Sequence, residues 1–173
     1  LEESVAAPDL LLAIRLLLVT GCRVNEIVGI ESGEITGNEL LISAHRTKSG
    51  REFLTYLPTY LAQELEERQD TVRRGEQLLQ GSNGLLCSGA LSQALGRLCE
   101  RANTYKASPH DLRRTVGTLL AKGGYTHDLR QRYLNHAAEG VTDRHYNVYD
   151  YQAEKRQMAD YMIKQLSDYG VLI

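Results

Sequence analysis

The chain has no tryptophan and a single phenylalanine, yet it carries ten tyrosines. So lopsided an aromatic content asks whether one of the phenols is a chemical group rather than packing. Cysteine is scarce and odd in number: Cys22, Cys87 and Cys99, without CxxC spacing. That excludes a disulfide framework or a zinc ribbon and points to reduced thiols in a cytoplasmic protein. Charge of one sign is also lacking. Lys+Arg number 20 against Asp+Glu 22, for a net charge of −2 and a pI near 6.2. Bulk charge therefore gives no argument for nucleic-acid binding, although a local basic face stays open. No apolar run is long enough for a membrane span, since "LLLAIRLLLV" is short and carries Arg15 in its middle. The opening "LEESVAAPDL" lacks the basic start and apolar stretch of a signal peptide.

What is present is enough for one domain, or a compact domain with a tail: 173 residues, 42% of them hydrophobic. Pro8 and Asp9 open a helical pattern, apolar nearly all round, that stops at Gly21. "RVNEIVGI" reads as a short second helix. "NELLISA" and "REFLTYLP" then switch to strand-like runs around "HRTKSG", predicting a hairpin with Ser49-Gly50 at its turn and Pro58 at its end. "TYLAQELEERQ" and "GALSQALGRLCERA" are amphipathic helices. The stretch between them, "DTVRRGEQLLQGSNG", is expected to be a loop or mobile segment. Ser108 is the expected N-cap of "SPHDLRRTVGTLLAKGG", and Thr126 that of "THDLRQRYLNH". A final helix, "YDYQAEKRQMADYMIKQL", sets Tyr151, Met158, Met162 and Leu166 on one face. No internal repeat or low-complexity segment is present. The expected fold is mainly α with a small antiparallel β-sheet.

The polar residues at element boundaries form a chemical set. Arg23 follows Gly21, Lys48 sits at the hairpin tip, and His110 and Arg113 lie one helical turn apart. His136 ends the next helix, and Tyr146 comes ten residues later. Two arginines, a lysine, two histidines and a phenol suit phosphoryl transfer without a metal. Attack on a phosphodiester loads negative charge onto the non-bridging oxygens, which planar, bidentate guanidinium groups stabilise. A phenol becomes a nucleophile once cations or a base favour loss of its proton. A lysine on a hairpin can protonate the leaving 5′ hydroxyl. Each residue alone has a duller use: Arg23 can pair with Glu26, His136 can sit on a helix dipole, and a basic hairpin can be merely solvated.

Together, "TGCRVNEI", "SPHDLRRT", "YLNH" and "RHYNVYDYQAEKR" resemble the catalytic domain of the tyrosine recombinases, the lambda-integrase-like family, over about residues 10 to 162. The tail "VTDRHYNVYDYQAEKRQMADYM" is most similar to integrases of prophages and integrative elements. The resemblance implies a phosphate clamp of Arg23 and Arg113, with His110 opening the HxxR box and His136 as the later histidine. It also implies Lys48 as the hairpin lysine and Glu26 as the supporting acidic residue. In the family the nucleophile follows that later histidine by nine or ten residues. Tyr146 satisfies this, whereas Tyr149 and Tyr151 stand too far on and are assigned to packing. Arg114, Arg130, Arg132, Arg144, Lys122 and His127 are left unassigned as possible phosphate contacts, and His145 is a secondary candidate base.

The implied activity is site-specific DNA recombination, inserting or excising a mobile element through a 3′-phosphotyrosine, with no metal and no cofactor. Implied partners are double-stranded DNA attachment sites, a homo-tetramer on DNA (a monomer for an isolated fragment), and accessory DNA-bending or directionality factors. The implied location is cytoplasmic and nucleoid-associated, with no membrane role. Residues 1–150 are expected to form the catalytic domain and 151–173 a C-terminal helix and tail, exchanged between protomers or packed on their own domain. The chain is expected to start without the family's N-terminal DNA-clamping domain, which accounts for the missing positive charge. Two rivals remain: a type IB topoisomerase-like relaxing enzyme, and a non-catalytic DNA-binding module of the same fold. Arg113→Ala is expected to abolish cleavage and leave the fold intact.

Overall fold

The computed structural model describes residues 8–82, 84–136 and 149–171. Among these, seven α-helices surround two small antiparallel sheets. Helix α1 spans Pro8–Thr20 and α2 spans Val24–Val28. Strands β1 (Ile35–Thr36), β2 (Glu39–Ile42) and β3 (Phe53–Tyr56) form one sheet in the order β1-β2-β3. Leu40 pairs with Ile35 on one side and Thr55 on the other. Helix α3 is Thr59–Gln69, and strands β4 (Gln80–Gly81) and β5 (Gly84–Leu85) make a second, minimal sheet. Then come α4 (Ser88–Arg101), α5 (Pro109–Lys122), α6 (His127–Tyr133) and α7 (Gln152–Asp168).

The nearly all-apolar α1 is the central rod, as its pattern demands. Leu12, Ala13, Leu16, Leu17 and Val19 are buried, and α2, α4, α5 and α7 all pack against it. Burying one such Leu contributes roughly 1.5–3 kcal/mol. Its end is set by Gly21, which takes φ +62 and donates its N–H back to the Leu17 carbonyl at 2.9 Å. Glycine is required there twice over, because a Cβ would also meet Leu134 Cδ2 at 2.6 Å. Such close approach sets the end of α1 directly against α5 and α6.

Three expectations change. The hairpin has a third strand, β1, whose two residues are too few to show a period of two. The stretch expected to be a loop or mobile segment is a loop up to β4, but a pinned one: Leu78 and Leu79 are buried, and Gln77 Nε2 donates to the carbonyls of Val28, Leu79 and Leu86. The final helix begins at Gln152, so Tyr151 precedes it in a left-handed conformation, φ 56, while Met158, Met162 and Leu166 fill the core. Ser108 and Thr126 cap their helices through side-chain oxygens as anticipated. No described helix is long and apolar enough to cross a membrane.

Candidate active site

The sharp turn at Gly21 delivers Arg23 to the N-terminus of α2. There the Glu26 carboxylate accepts from Arg23 N at 2.7 Å and from Arg23 Nη1 at 3.1 Å. Glu26 is 1% exposed, so this carboxylate is committed to the arginine beside it. The other end of the guanidinium, Nη2, donates to the Asn135 carbonyl at 3.2 Å.

Arg113 comes from the second turn of α5 and is 6% exposed. A charge so deeply placed needs acceptors. Nη1 donates to the Gly21 carbonyl at 2.6 Å, and Nη2 to the Leu134 carbonyl. Burial, and then the neighbouring Arg23, hold Arg113 below the usual arginine range, yet a guanidinium remains charged in a protein.

Both arginines therefore rest on one turn. Leu134 and Asn135 close α6, and Asn135 adopts φ 50, the left-handed geometry that asparagine tolerates better than most residues. The next residue is His136. Its Nδ1 lies against the Gln131 carboxamide oxygen, which can only accept, so Nδ1 carries the proton and Nε2 presents a lone pair. Gln131 Nε2 in turn lies 3.2 Å from His127 Nε2. Desolvation first, then the charges of Arg113 and Arg23, hold the His136 imidazole below its ordinary value. At neutral pH it is an acceptor.

These elements enclose a cleft of about 560 Å³ lined by Arg23, Glu26, Arg46, Lys48, His110, Arg113 and His136, with Cys22 and Thr47 among the other walls. Arg23, Lys48 and Arg113 face one carboxylate there, beside Arg46, which is paired with Glu34, in a chain whose net charge is −2. The local basic face is real, and whole-chain charge conceals it. Lys48 is exposed on the loop after β2 and His110 is exposed at the start of α5, whereas Arg113 and Glu26 are buried. So six residues singled out from the sequence, Arg23, Glu26, Lys48, His110, Arg113 and His136, share one cavity. Tyr146 lies outside the described residues, as do Arg144 and His145.

The other two tyrosines of that stretch are engaged. Tyr149 and Tyr151 pack edge to face at 4.8 Å, and Arg132 sits 4.0 Å over the Tyr151 ring. The Tyr149 hydroxyl donates to Glu154 at 3.1 Å, and that carboxylate raises the phenol's pKa, disfavouring phenolate. Cys22 lines the cleft but is inert, its thiol pushed up to about 12 by burial and then by Glu26. Among the described residues no group of three or more His, Cys, Asp or Glu side chains is placed to hold a metal ion. Two supporting residues escaped the sequence reading. Gln131 could have been suspected from its place five residues before His136, while Arg46 looked like any hairpin cation.

Fold and cleft together define a class, and comparison with known proteins agrees with it. The model of the phage integrase family matches residues 2–153. The chain belongs to that family, whose class is the tyrosine site-specific recombinases. Among solved structures it is similar to the integrase from mycobacterium phage Brujita, with 19% identity, a TM-score of 0.66, and coverage of 92% of this chain and 53% of that one. The XerH recombinase bound to its difH substrate gives 20% identity and a TM-score of 0.64, covering 91% of this chain and 48% of that one. The Tn1549 transposon integrase in complex with transposon right end DNA gives 17%, 0.59, 91% and 61% respectively. The chain thus spans about half the length of the first two. No curated protein matches it.

Proposed function

We propose that this chain is the catalytic domain of a site-specific recombinase that cuts and rejoins duplex DNA through a 3′-phosphotyrosine, integrating or excising a mobile element. The observation that carries this is the convergence of Arg23, Lys48, His110, Arg113 and His136, from four separate parts of the chain, on one positive cleft. Its size and charge suit a phosphodiester, and the DNA complexes among its structural neighbours support a duplex substrate.

In this mechanism Arg23 and Arg113 hold the non-bridging oxygens, already oriented by Glu26 and by the carbonyls of Gly21, Leu134 and Asn135. His110, at the rim, donates a further hydrogen bond to the phosphate. Tyr146 Oη attacks phosphorus and its proton passes to His136 Nε2. The bond from phosphorus to O5′ breaks, and Lys48 Nζ protonates that oxygen. Rejoining runs the same steps backwards with a new 5′ hydroxyl, so the phosphodiester energy is conserved and no external energy source is needed.

The proposed partners are duplex attachment sites, with four protomers on DNA and one in its absence, in a nucleoid-associated cytoplasmic setting. The proposed boundary follows residue 150. Exchange of 151–173 between protomers would draw Met158, Met162 and Leu166 out of the core they now fill. Particle mass with and without DNA tests the assembly.

The decisive experiment incubates the chain with a nicked duplex carrying the element's junction sequence, at low salt and with EDTA. A covalent adduct on Tyr146, absent from Tyr146→Phe, is expected on denaturing gels and by peptide mass spectrometry. An adduct on Tyr149 would correct the nucleophile. DNA binding without any adduct would leave a non-catalytic module of the same fold.

A further inference from the structure

Arg46 lines the cleft, but its side chain is 8% exposed and two of its three nitrogens are bonded within the protein. Nε donates to Glu34 Oε1 at 3.1 Å, and Nη2 lies 2.9 Å from Glu34 Oε2 and donates to the Glu26 carbonyl at 2.8 Å. The third nitrogen, Nη1, lies over Gly29, close enough that a Cβ there would meet it at 2.6 Å. Glu34 is 5% exposed and accepts as well from the backbone N–H groups of Ser43 and Glu31, at 2.8 and 3.0 Å. Its carboxylate is saturated and matches the arginine's charge.

The position of this pair matters more than its strength. Glu34 stands at the head of β1, Ser43 follows β2, and Glu26 belongs to α2, the helix whose carboxylate clamps Arg23. Through the bond from Arg46 Nη2 to the Glu26 carbonyl, the pair therefore joins the hairpin to α2, two residues before Lys48. The residue between, Thr47, ties the loop to itself through Oγ1, which donates to the Arg51 carbonyl at 2.7 Å. Lys48 is left exposed on a loop whose base is buried and bonded.

We propose that Arg46, through Glu34 and the Glu26 carbonyl, is the positioning residue that sets Lys48 at the leaving-group side of the cleft. This rests on the assignment of Lys48 as the general acid. The pair acts as a spacer: it sets how far the hairpin stands from the Arg23–Glu26 unit, and hence where the lysine's proton can be delivered. A misplacement of about 1 Å costs such a group roughly 100-fold in rate.

The test compares Arg46→Gln, Gly29→Ala and Lys48→Ala in the full chain on two nicked duplexes. These differ only in the bridging atom at the scissile 5′ position, oxygen or sulfur. A 5′ thiolate leaves without a proton, so the sulfur duplex needs no general acid, while the phosphate clamp is needed for both. Gly29→Ala keeps both charges of the pair and suits the local backbone, φ −95 and ψ 19; its Cβ would meet the Asn25 carbonyl at 3.1 Å but Arg46 Nη1 at 2.6 Å, so the flexible guanidinium is the group chiefly displaced. On the oxygen duplex Arg46→Gln and Gly29→Ala are expected to lose roughly 100-fold and Lys48→Ala about 100–10,000-fold, while all three match the unaltered chain on the sulfur duplex. The proposal is overturned if Gly29→Ala and Arg46→Gln cut the oxygen duplex at the unaltered rate. It is equally overturned if they are slow on both duplexes while unfolding cooperatively, because the clamp would then be at fault. Lys48→Ala slow on both would instead remove the general-acid assignment, and the proposal with it.

Discussion

The two sides of the cleft are built differently. On the clamp side Arg113 is buried with backbone carbonyls under both terminal nitrogens, and Arg23 is held by a buried carboxylate and a third carbonyl. On the side proposed for protonating the leaving group Lys48 is exposed, and its anchoring is done by neighbours. The contrast follows from what each side must do. Charge stabilisation is worth most when the donors are fixed before charge develops, so no reorganisation is needed during reaction. A proton donor must reach a leaving oxygen and then withdraw, which a side chain on a bonded loop can do.

The largest expected effect separates the sides directly. Arg113→Ala should reduce cleavage by at least about 100–1,000-fold. It should also destabilise the chain by about 2–4 kcal/mol, because two buried carbonyls lose their donors. The sequence-based expectation of an intact fold is revised here, since the arginine also ties the ends of α1 and α6 to α5. Lys48→Ala should reduce cleavage of ordinary DNA by about 100–10,000-fold and leave the thermal unfolding midpoint unchanged. Equal stability losses in the two variants would erase the distinction.

Glu26→Gln comes next. It keeps the shape and removes the charge that orients Arg23, and cleavage should fall by roughly tenfold or more. If the rate is unaffected, the hydrogen bond that Arg23 Nη2 donates to the Asn135 carbonyl suffices without the carboxylate's charge, and the clamp is less dependent on it than drawn.

The pH profile sharpens the comparison further. The folded pKa of His136 lies below its ordinary value, so this group's contribution to stability is complete above about 6.5 and is lost as pH falls through the folded pKa. Cleavage should rise with pH along an acid limb whose midpoint is below 6.5. Imidazole NMR on the same chain should give that midpoint for His136, moved upward by Arg23→Gln. A midpoint at or above the ordinary value would separate the histidine electrostatically from the clamp. Smallest of all, Tyr133→Phe removes the buried hydroxyl that donates to the Val19 carbonyl at 2.7 Å. It should cost about 1 kcal/mol in denaturant unfolding and leave cleavage alone, although α6 carries the turn beneath both arginines.

Much of this was legible from particular residues. Pro8, Gly21, Ser108 and Thr126 mark helix ends because capping and left-handed turns demand those residue types, and the helices fall where they indicate. Arg23, His110, Arg113 and His136 stood out because polar groups at the ends of apolar elements have few structural reasons to be there. The supports were hidden for a physical reason. Three of them are backbone carbonyls, which every residue carries, so no side-chain pattern announces them. Arg46 and Glu34 are twelve residues apart and on different elements, and their pairing exists only once the sheet forms. Leu78 and Leu79 were submerged in a polar stretch, and two apolar residues are too few to set a period.

The turn at residues 134–136 has one further consequence. Two successive carbonyls there hold the two arginines, and the third residue is the histidine. A β-branched residue in place of Asn135, at φ 50, would resist that backbone geometry. It would unseat all three groups together although Arg23, Arg113 and His136 themselves were unchanged. An inventory of catalytic letters would pass such a chain as competent, though its chemistry had been disarmed at a position the inventory does not contain. In this fold the integrity of the site is written partly in a torsion angle.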